Sequence, residues 1–252
     1  MDTVSSRFIQ GEGTPESVWQ AWLRRHPLPA ATTAQIVSPA RALHVVAPHP
    51  DDEILGCAGI MRQAARLGAS IHLWAVTDGE ASHPDSPRWP AAQLANERTR
   101  ESEWALHRLR VPATRYRLRV PDGGVEPQED WLSARLARCL SPGDTVIAPW
   151  HLDGHPDHEA VSRASRHAAD ASGCTFLEVP IWGWHWADPE RGDFPAERAI
   201  AIALDADDQG AKRDAIQTFR TQLDADPSTG RAPILPDFAL DRALRDIEVL
   251  LR

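Results

Sequence analysis

The chain has 252 residues, 42% of them hydrophobic and 25% charged, an ordinary globular composition with length for one substantial α/β core. Its formal net charge of −9 disfavours a general affinity for nucleic acid or for an anionic membrane. No apolar run approaches the roughly 18 residues that span a bilayer, and the opening MDTVSSRFIQGEGTPES lacks the basic patch and apolar core of a secretion signal.

Residues 1–40, rich in Pro, Ser and Thr, are expected to form an N-terminal extension whose role the sequence leaves open. Its one expected helix is TPESVWQAWLRR, with Thr14 as N-cap and Pro15 at the first helical position. Residues 41–252 then alternate strand and helix as a single domain. ALHVVA reads as a buried strand, ILGCAGIMRQAARLG as a helix ended by Gly68, and SIHLWAVT as the next strand. AAQLANERTRESEWALHRL is helical, TRYRLRV a short strand, PQEDWLSARLARCL a helix and DTVIAPW a strand. The helix PDHEAVSRASRHAADA and the strand TFLEVPIW follow, then the strand RAIAIAL, the helix DDQGAKRDAIQTFRTQL and a last helix at PDFALDRALRDIEVLL. This rhythm predicts a Rossmann-like α/β fold, a mostly parallel sheet with helices on both faces. Cys57, Cys139 and Cys174 are odd in number and far apart. They argue for a reducing, cytoplasmic setting rather than a disulfide framework.

Two polar clusters interrupt this pattern at strand ends, where ligands of such sheets bind. One is VVAPHPDDEILG at residues 45–56, the other HLDGHPDHEA at residues 151–160. Carboxylates this close raise one another's pKa unless a cation or hydrogen-bond donors compensate. His49 and Asp52 stand about one helical turn apart, as do His155 and His158. Two imidazoles and one carboxylate are the donor set of a catalytic zinc site with one open position. His49, Asp52 and His158 are therefore the expected metal ligands. Asp51 is left free as general base toward a water at the metal. His155 faces the substrate as acid or oxyanion partner, and Asp157 is expected to hydrogen-bond His155 and set its tautomer. Zn²⁺ is the expected cofactor, although Fe²⁺ or Co²⁺ would suit the same donors. Each cluster alone would usually be a charged helix start; the pair at strand ends favours the metal site. No phosphate-binding glycine loop and no nucleophile elbow is present.

APHPDDEILG together with GHPDHEAVSRAS resembles the LmbE-like, or PIG-L, family of zinc-dependent de-N-acetylases, over about residues 43–225. TDGE at 77–80, Arg98 and Glu101 in ERTRESEWALHRL, Asp122-Gly123 and KRDAIQTFRTQL match as well. The resemblance implies the same roles: His49, Asp52 and His158 on zinc, Asp51 as base, His155 at the tetrahedral intermediate. It also implies a small-molecule substrate, an N-acetylglucosamine-type amino sugar or its conjugate, losing an N-acyl group, most simply acetyl. Arg98 and Asp122 would lie near the sugar, although each also suits an ordinary ion pair. Trp182, Trp184 and Trp186 alternate in IWGWHWAD and would make either an aromatic wall for a sugar face or a packed strand end. His83, His151 and His185 are rim candidates. The alternatives are a metal-dependent amidase acting on a non-sugar N-acyl amine, and an inactive metal-binding homologue.

Overall fold

The computed structural model describes residues 7–252. Eight strands form one sheet: β1 Ala30–Ala31, β2 Ala42–Ala47, β3 Ser70–Thr77, β4 Ala113–Val120, β5 Thr145–Pro149, β6 Thr175–Val179, β7 Ala199–Ala203 and β8 Ile247–Leu251. The principal helices in the first half are α1 Glu16–Arg25, α2 Thr33–Ile36, α3 Asp52–Arg66, α4 Ala91–Leu109 and α5 Glu129–Ala137. The second half adds α6 Pro156–Ser172, α7 Gly183–Trp186, α8 Ala206–Ile216, α9 Arg220–Leu223 and α10 Asp237–Ala243. The strand order is β1-β7-β8-β6-β5-β2-β3-β4. Every pairing is parallel except those of β8, which runs against both β6 and β7.

Alternation along β2 explains the two-faced core. Leu43, Val45 and Ala47 face α3 and pack with Ile54, Ile60 and Met61, whereas Val46 joins Trp74, Leu132 and Val161 on the α5–α6 face. A third cluster joins Trp19 and Trp22 of α1 to Trp150, Trp184 and Phe194. Trp19 is fully buried, and its indole donates to Trp184 O at 2.8 Å. Together with the pairing of β1 on β7, this packs the segment before residue 41 against the sheet. Pro15, not Thr14, precedes the first turn of α1, and the Thr14 hydroxyl instead donates to Ala187 O at 2.8 Å.

The sequence pattern misreads three segments. The segment expected to end one long helix, IEVLL, is strand β8, filling the gap between β6 and β7. Val249, Leu250 and Leu251 are buried there, and Glu248 is neutralised by Lys212 at 2.8 Å. The expected strand through Ile181-Trp182 stops at Val179, and the chain turns into α7. DDQGAKRDAIQTFRTQL is likewise divided into α8 and α9 around Thr218, whose hydroxyl caps Ala215 O and Glu101 O.

The order around β2 positions the site. From β2 the chain winds outward through β3 and β4, then returns to place β5 on β2's other side, with Val45 opposite Ile147. Helices leave β2 and β5 in opposite senses, opening a crevice at their carboxyl ends. His49–Asp52 follows β2 and His155–His158 follows β5, so the topology brings together two clusters about a hundred residues apart.

Candidate metal centre

His49 Nδ1, Asp52 Oδ2 and His158 Nε2 converge on one point. The separations are 3.4 Å for His49–Asp52, 3.3 Å for Asp52–His158 and 3.3 Å for His49–His158. Donors held about 2.0–2.1 Å from a tetrahedral ion lie about 3.3–3.4 Å apart, so the triangle has the size that such an ion requires. All three side chains are buried. A nitrogen of His155 also lies within 4.8 Å of nitrogens of His49 and His158.

The far side of each imidazole is anchored. His158 Nδ1 meets Asp153 Oδ2 at 2.8 Å, and His49 Nε2 meets Asp122 Oδ1 at 3.2 Å and Asp157 Oδ2 at 3.3 Å. Such carboxylates fix ring orientation and strengthen the donor nitrogen. Asp153 is fully buried and also accepts the backbone N–H groups of Ile181, Trp182 and Gly183 at 2.8–2.9 Å. Sequence reasoning passes over Asp153; the available signal is a third carboxylate in the same strand-end cluster, five residues before His158.

Buried charge is concentrated at these residues. Burial alone would depress the His158 imidazole, but Asp52 and Asp153 outweigh it and raise its pKa to about 9. Burial likewise opposes protonation of His49, and hydrogen bonds to Asp122, Asp157 and Asp52 carry it well above the ordinary histidine value. Burial would raise Asp52, yet the two imidazoles hold it far below the usual carboxylate range. A divalent cation would replace those imidazole protons and satisfy the same carboxylate.

Asp51 sits beside this triangle in a strained backbone, with φ at 135° and ψ at −29°. Its N–H donates to Glu53 Oε2 at 3.0 Å, and Glu53 is in turn held by the Ser102 hydroxyl at 2.6 Å. The Asp51 carboxylate accepts from Arg98 Nη2 at 3.1 Å. Burial pushes its pKa up; Arg98 pulls it down, Asp52 and Glu53 push it further up, and the result is about 8. Arg98 is buried and also donates to Pro50 O and Gly79 O at 2.9 Å. A side chain at Gly79, where φ is +68°, would come within 2.0 Å of Arg98 Nη1.

His155 differs from expectation. The Asp157 carboxylate does not reach it; that carboxylate accepts Gly123 N at 2.8 Å and Val125 N at 3.2 Å besides supporting His49. The backbone N–H of Asp157 donates to His155 Nδ1 at 3.2 Å instead. Burial, followed by repulsion from His158 and His49, lowers the His155 pKa to about 3. The ring is therefore neutral at physiological pH, with its proton on Nε2 because Nδ1 is an acceptor.

The expected sugar-side residues separate. Asp122 accepts Ala81 N at 2.9 Å as well as contacting His49, and Arg98 is committed to Asp51. Trp184 is a core residue, stacked on Phe194 at 4.9 Å and lying under Arg245. Trp186 stacks on Trp150 at 5.5 Å, and its indole donates to Asp153 O. Trp182 is half-buried at the start of α7. The three indoles do not line one wall, because a helical turn replaces the strand whose alternation would have aligned them. His151 pairs with Glu178 at 2.6 Å, and His185 accepts from Arg242 at 3.0 Å. His83 is buried beside the Ser82 hydroxyl at 3.0 Å.

The family profile of PIG-L, GlcNAc-PI de-N-acetylase, matches residues 44–169. The 2'-N-acetylparomamine deacetylase of Streptomyces fradiae is 29% identical over 146 residues, covering 51% of this chain and 52% of that protein. The chain thus spans about half the length of that relative. The 1D-myo-inositol 2-acetamido-2-deoxy-alpha-D-glucopyranoside deacetylase of Rhodococcus opacus (strain B4) is 25% identical over 271 residues, covering 84% of this chain and 92% of that protein. Among solved structures, a conserved protein from Thermus thermophilus superposes with a TM-score of 0.59 at 25% identity, covering 84% of this chain and 94% of that chain. The profile match takes in half of the sequence, both strand-end clusters included, and the chain belongs to the PIG-L family.

Proposed function

We propose that the protein is a metal-dependent hydrolase that removes an N-acyl group, acetyl in the simplest case, from an N-acetylglucosamine-type amino sugar or its conjugate. One observation carries this reading. Three donors stand at tetrahedral spacing, and a second carboxylate, Asp51, is held beside them by strain and by Arg98. A purely structural metal site has no use for that fourth group. Both relatives carry deacetylase names, one for an acetylparomamine and one for an acetamido glucopyranoside.

In this reading His49, Asp52 and His158 hold the ion, and zinc suits two imidazoles and one carboxylate. A divalent ion supplies Lewis acidity, polarising the amide carbonyl and making water a better nucleophile. Asp51, whose carboxylate form a neighbouring divalent cation would favour, takes the proton of the attacking water and returns it to the leaving amine. Arg98 keeps the Asp51 carboxylate aimed at the site. His155 donates its Nε2–H to the carbonyl oxygen as charge develops there, a neutral donor rather than an acid. Asp122, Asp153 and Asp157 orient the two imidazoles. Three unpaired cysteines support a reducing, cytoplasmic setting, and among the described residues no helix is long and apolar enough to cross a membrane.

The test is a panel of N-acyl amino sugars and their conjugates incubated with metal-loaded protein and scored for free primary amine, with N-acyl amines that lack a sugar as the contrast. Release from the sugars that stops on chelation and returns with zinc is expected. Release from the non-sugar amines alone would move the protein to the amidase reading, and no release from any member would overturn both.

A further inference from the structure

A pocket lies between α3, the turn after β6, α10 and β8. None of His49, Asp52, His155 and His158 lines it. Its walls are apolar, with Leu55, Val179, Ile181 and Leu235 among them, yet Lys212, Arg242, Arg245 and Glu248 also face it. Three of these four are cations, in a place where charge must be matched.

The matching is incomplete. Lys212 and Glu248 close on each other at 2.8 Å, and Glu248 also accepts Gly59 N and Ile60 N. Arg245 is gripped by Glu16 through Nε at 2.8 Å and Nη2 at 2.6 Å. Among the described residues Arg242 meets only neutral acceptors: His185 Nδ1 at 3.0 Å, Thr14 O at 2.8 Å and Glu12 O. Glu16 and Asp241 act on it only from a distance. Both arginines are 5% exposed, and among the described residues each keeps one buried donor without an acceptor, Nε on Arg242 and Nη1 on Arg245. Among the described residues one positive charge is therefore without a counterion, and two guanidinium donors of pocket-lining residues stand unused.

We propose that this pocket binds a small monocarboxylate with an apolar body. The carboxylate accepts from Arg242 Nε and Arg245 Nη1, and the body lies against Leu55, Val179, Ile181 and Leu235. One anionic charge cancels the excess, and two oxygens suit two donors. A phosphate would bring a second charge and a third oxygen, for which the apolar wall has no partner. The site stands apart from the hydrolytic reading, since it needs neither the metal nor the amide.

The experiment is isothermal titration of hexanoate, and separately of hexanamide, into the full chain after chelation, so that no bound ion takes the carboxylate. Hexanoate should bind saturably, and hexanamide about tenfold or more weakly, the worth of a charge-assisted hydrogen bond. Ala239→Phe, which fills the pocket and leaves both arginines in place, should abolish binding, and Arg242→Gln should weaken it by a similar factor. Circular dichroism melts establish that each variant is folded. If Arg242→Gln does not fold, the comparison of acid with amide and the Ala239→Phe variant decide. No saturable hexanoate binding, equal affinity for acid and amide, or unchanged binding by folded Ala239→Phe would each overturn the proposal.

Discussion

Replacing Asp153 by Asn tests how far the candidate centre depends on a residue that never touches the ion. Asp153 Oδ2 faces His158 Nδ1 and Trp182 N, while Oδ1 faces Ile181 N and Gly183 N. An amide keeps one oxygen and turns the other into a donor, so either orientation sets an NH₂ against two donors. Two stranded buried groups at about 1–3 kcal/mol each predict a stability loss of about 2–6 kcal/mol. The metal should also be held about 10–100-fold more weakly, as for other supports of histidine ligands, which is about 1.4–2.7 kcal/mol of binding free energy. Competition with a chromophoric chelator measures the affinity, and urea unfolding of the chelated protein measures the stability separately. A folded Asp153→Asn variant with wild-type affinity for zinc would show that His158 needs no carboxylate behind it, and the reasoning would fail.

Asp51→Asn should retain the metal by elemental analysis yet lose about 10²–10⁴ in kcat; loss of metal instead would mean that Asp51, not Asp52, is the third donor. Gly79→Ala should displace the Arg98 guanidinium, whose Nη1 would stand 2.0 Å from the new Cβ, lowering kcat while metal content stays unchanged; wild-type kinetics would remove Arg98 from the mechanism. Trp19→Ala empties a fully buried position and should cost about 3–5 kcal/mol in a single cooperative transition. A separate, unaltered transition for the rest of the chain would make the segment an independent appendage. With pH, the folded, chelated protein keeps a proton on Asp51 from its ordinary 3.8 up to about 8, and on His158 from 6.5 up to about 9. The folded state therefore holds more protons than the unfolded one, and stability should fall as pH rises through that window. Asp52, shifted the opposite way, contributes stability that is lost only in acid. Urea midpoints that rise between pH 6.5 and 9 would contradict this sign.

Local pattern alone determined the alternating elements from β2 to α6, because each apolar run there has the period and the flanking breakers of one structure only. The same locality made His49, Asp51, Asp52, His155 and His158 legible: five polar residues crowded into two strand ends have no packing reason to be there. Tertiary structure decided the rest. Ile247–Leu251 is apolar enough for helix or strand, and only the open edges of β6 and β7 make it β8. Trp182, Trp184 and Trp186 alternate in sequence, but the carboxylate of Asp153 gathers three successive N–H groups and bends that segment into α7. Asp157 stands two residues from His155, and proximity in sequence pairs the two; at the start of α6 its side chain points instead to His49, more than a hundred residues away. Neighbours in sequence share a backbone, whereas the partner of a buried charge is whichever opposite charge or donor the sheet brings within reach, and no one-dimensional spacing records that choice.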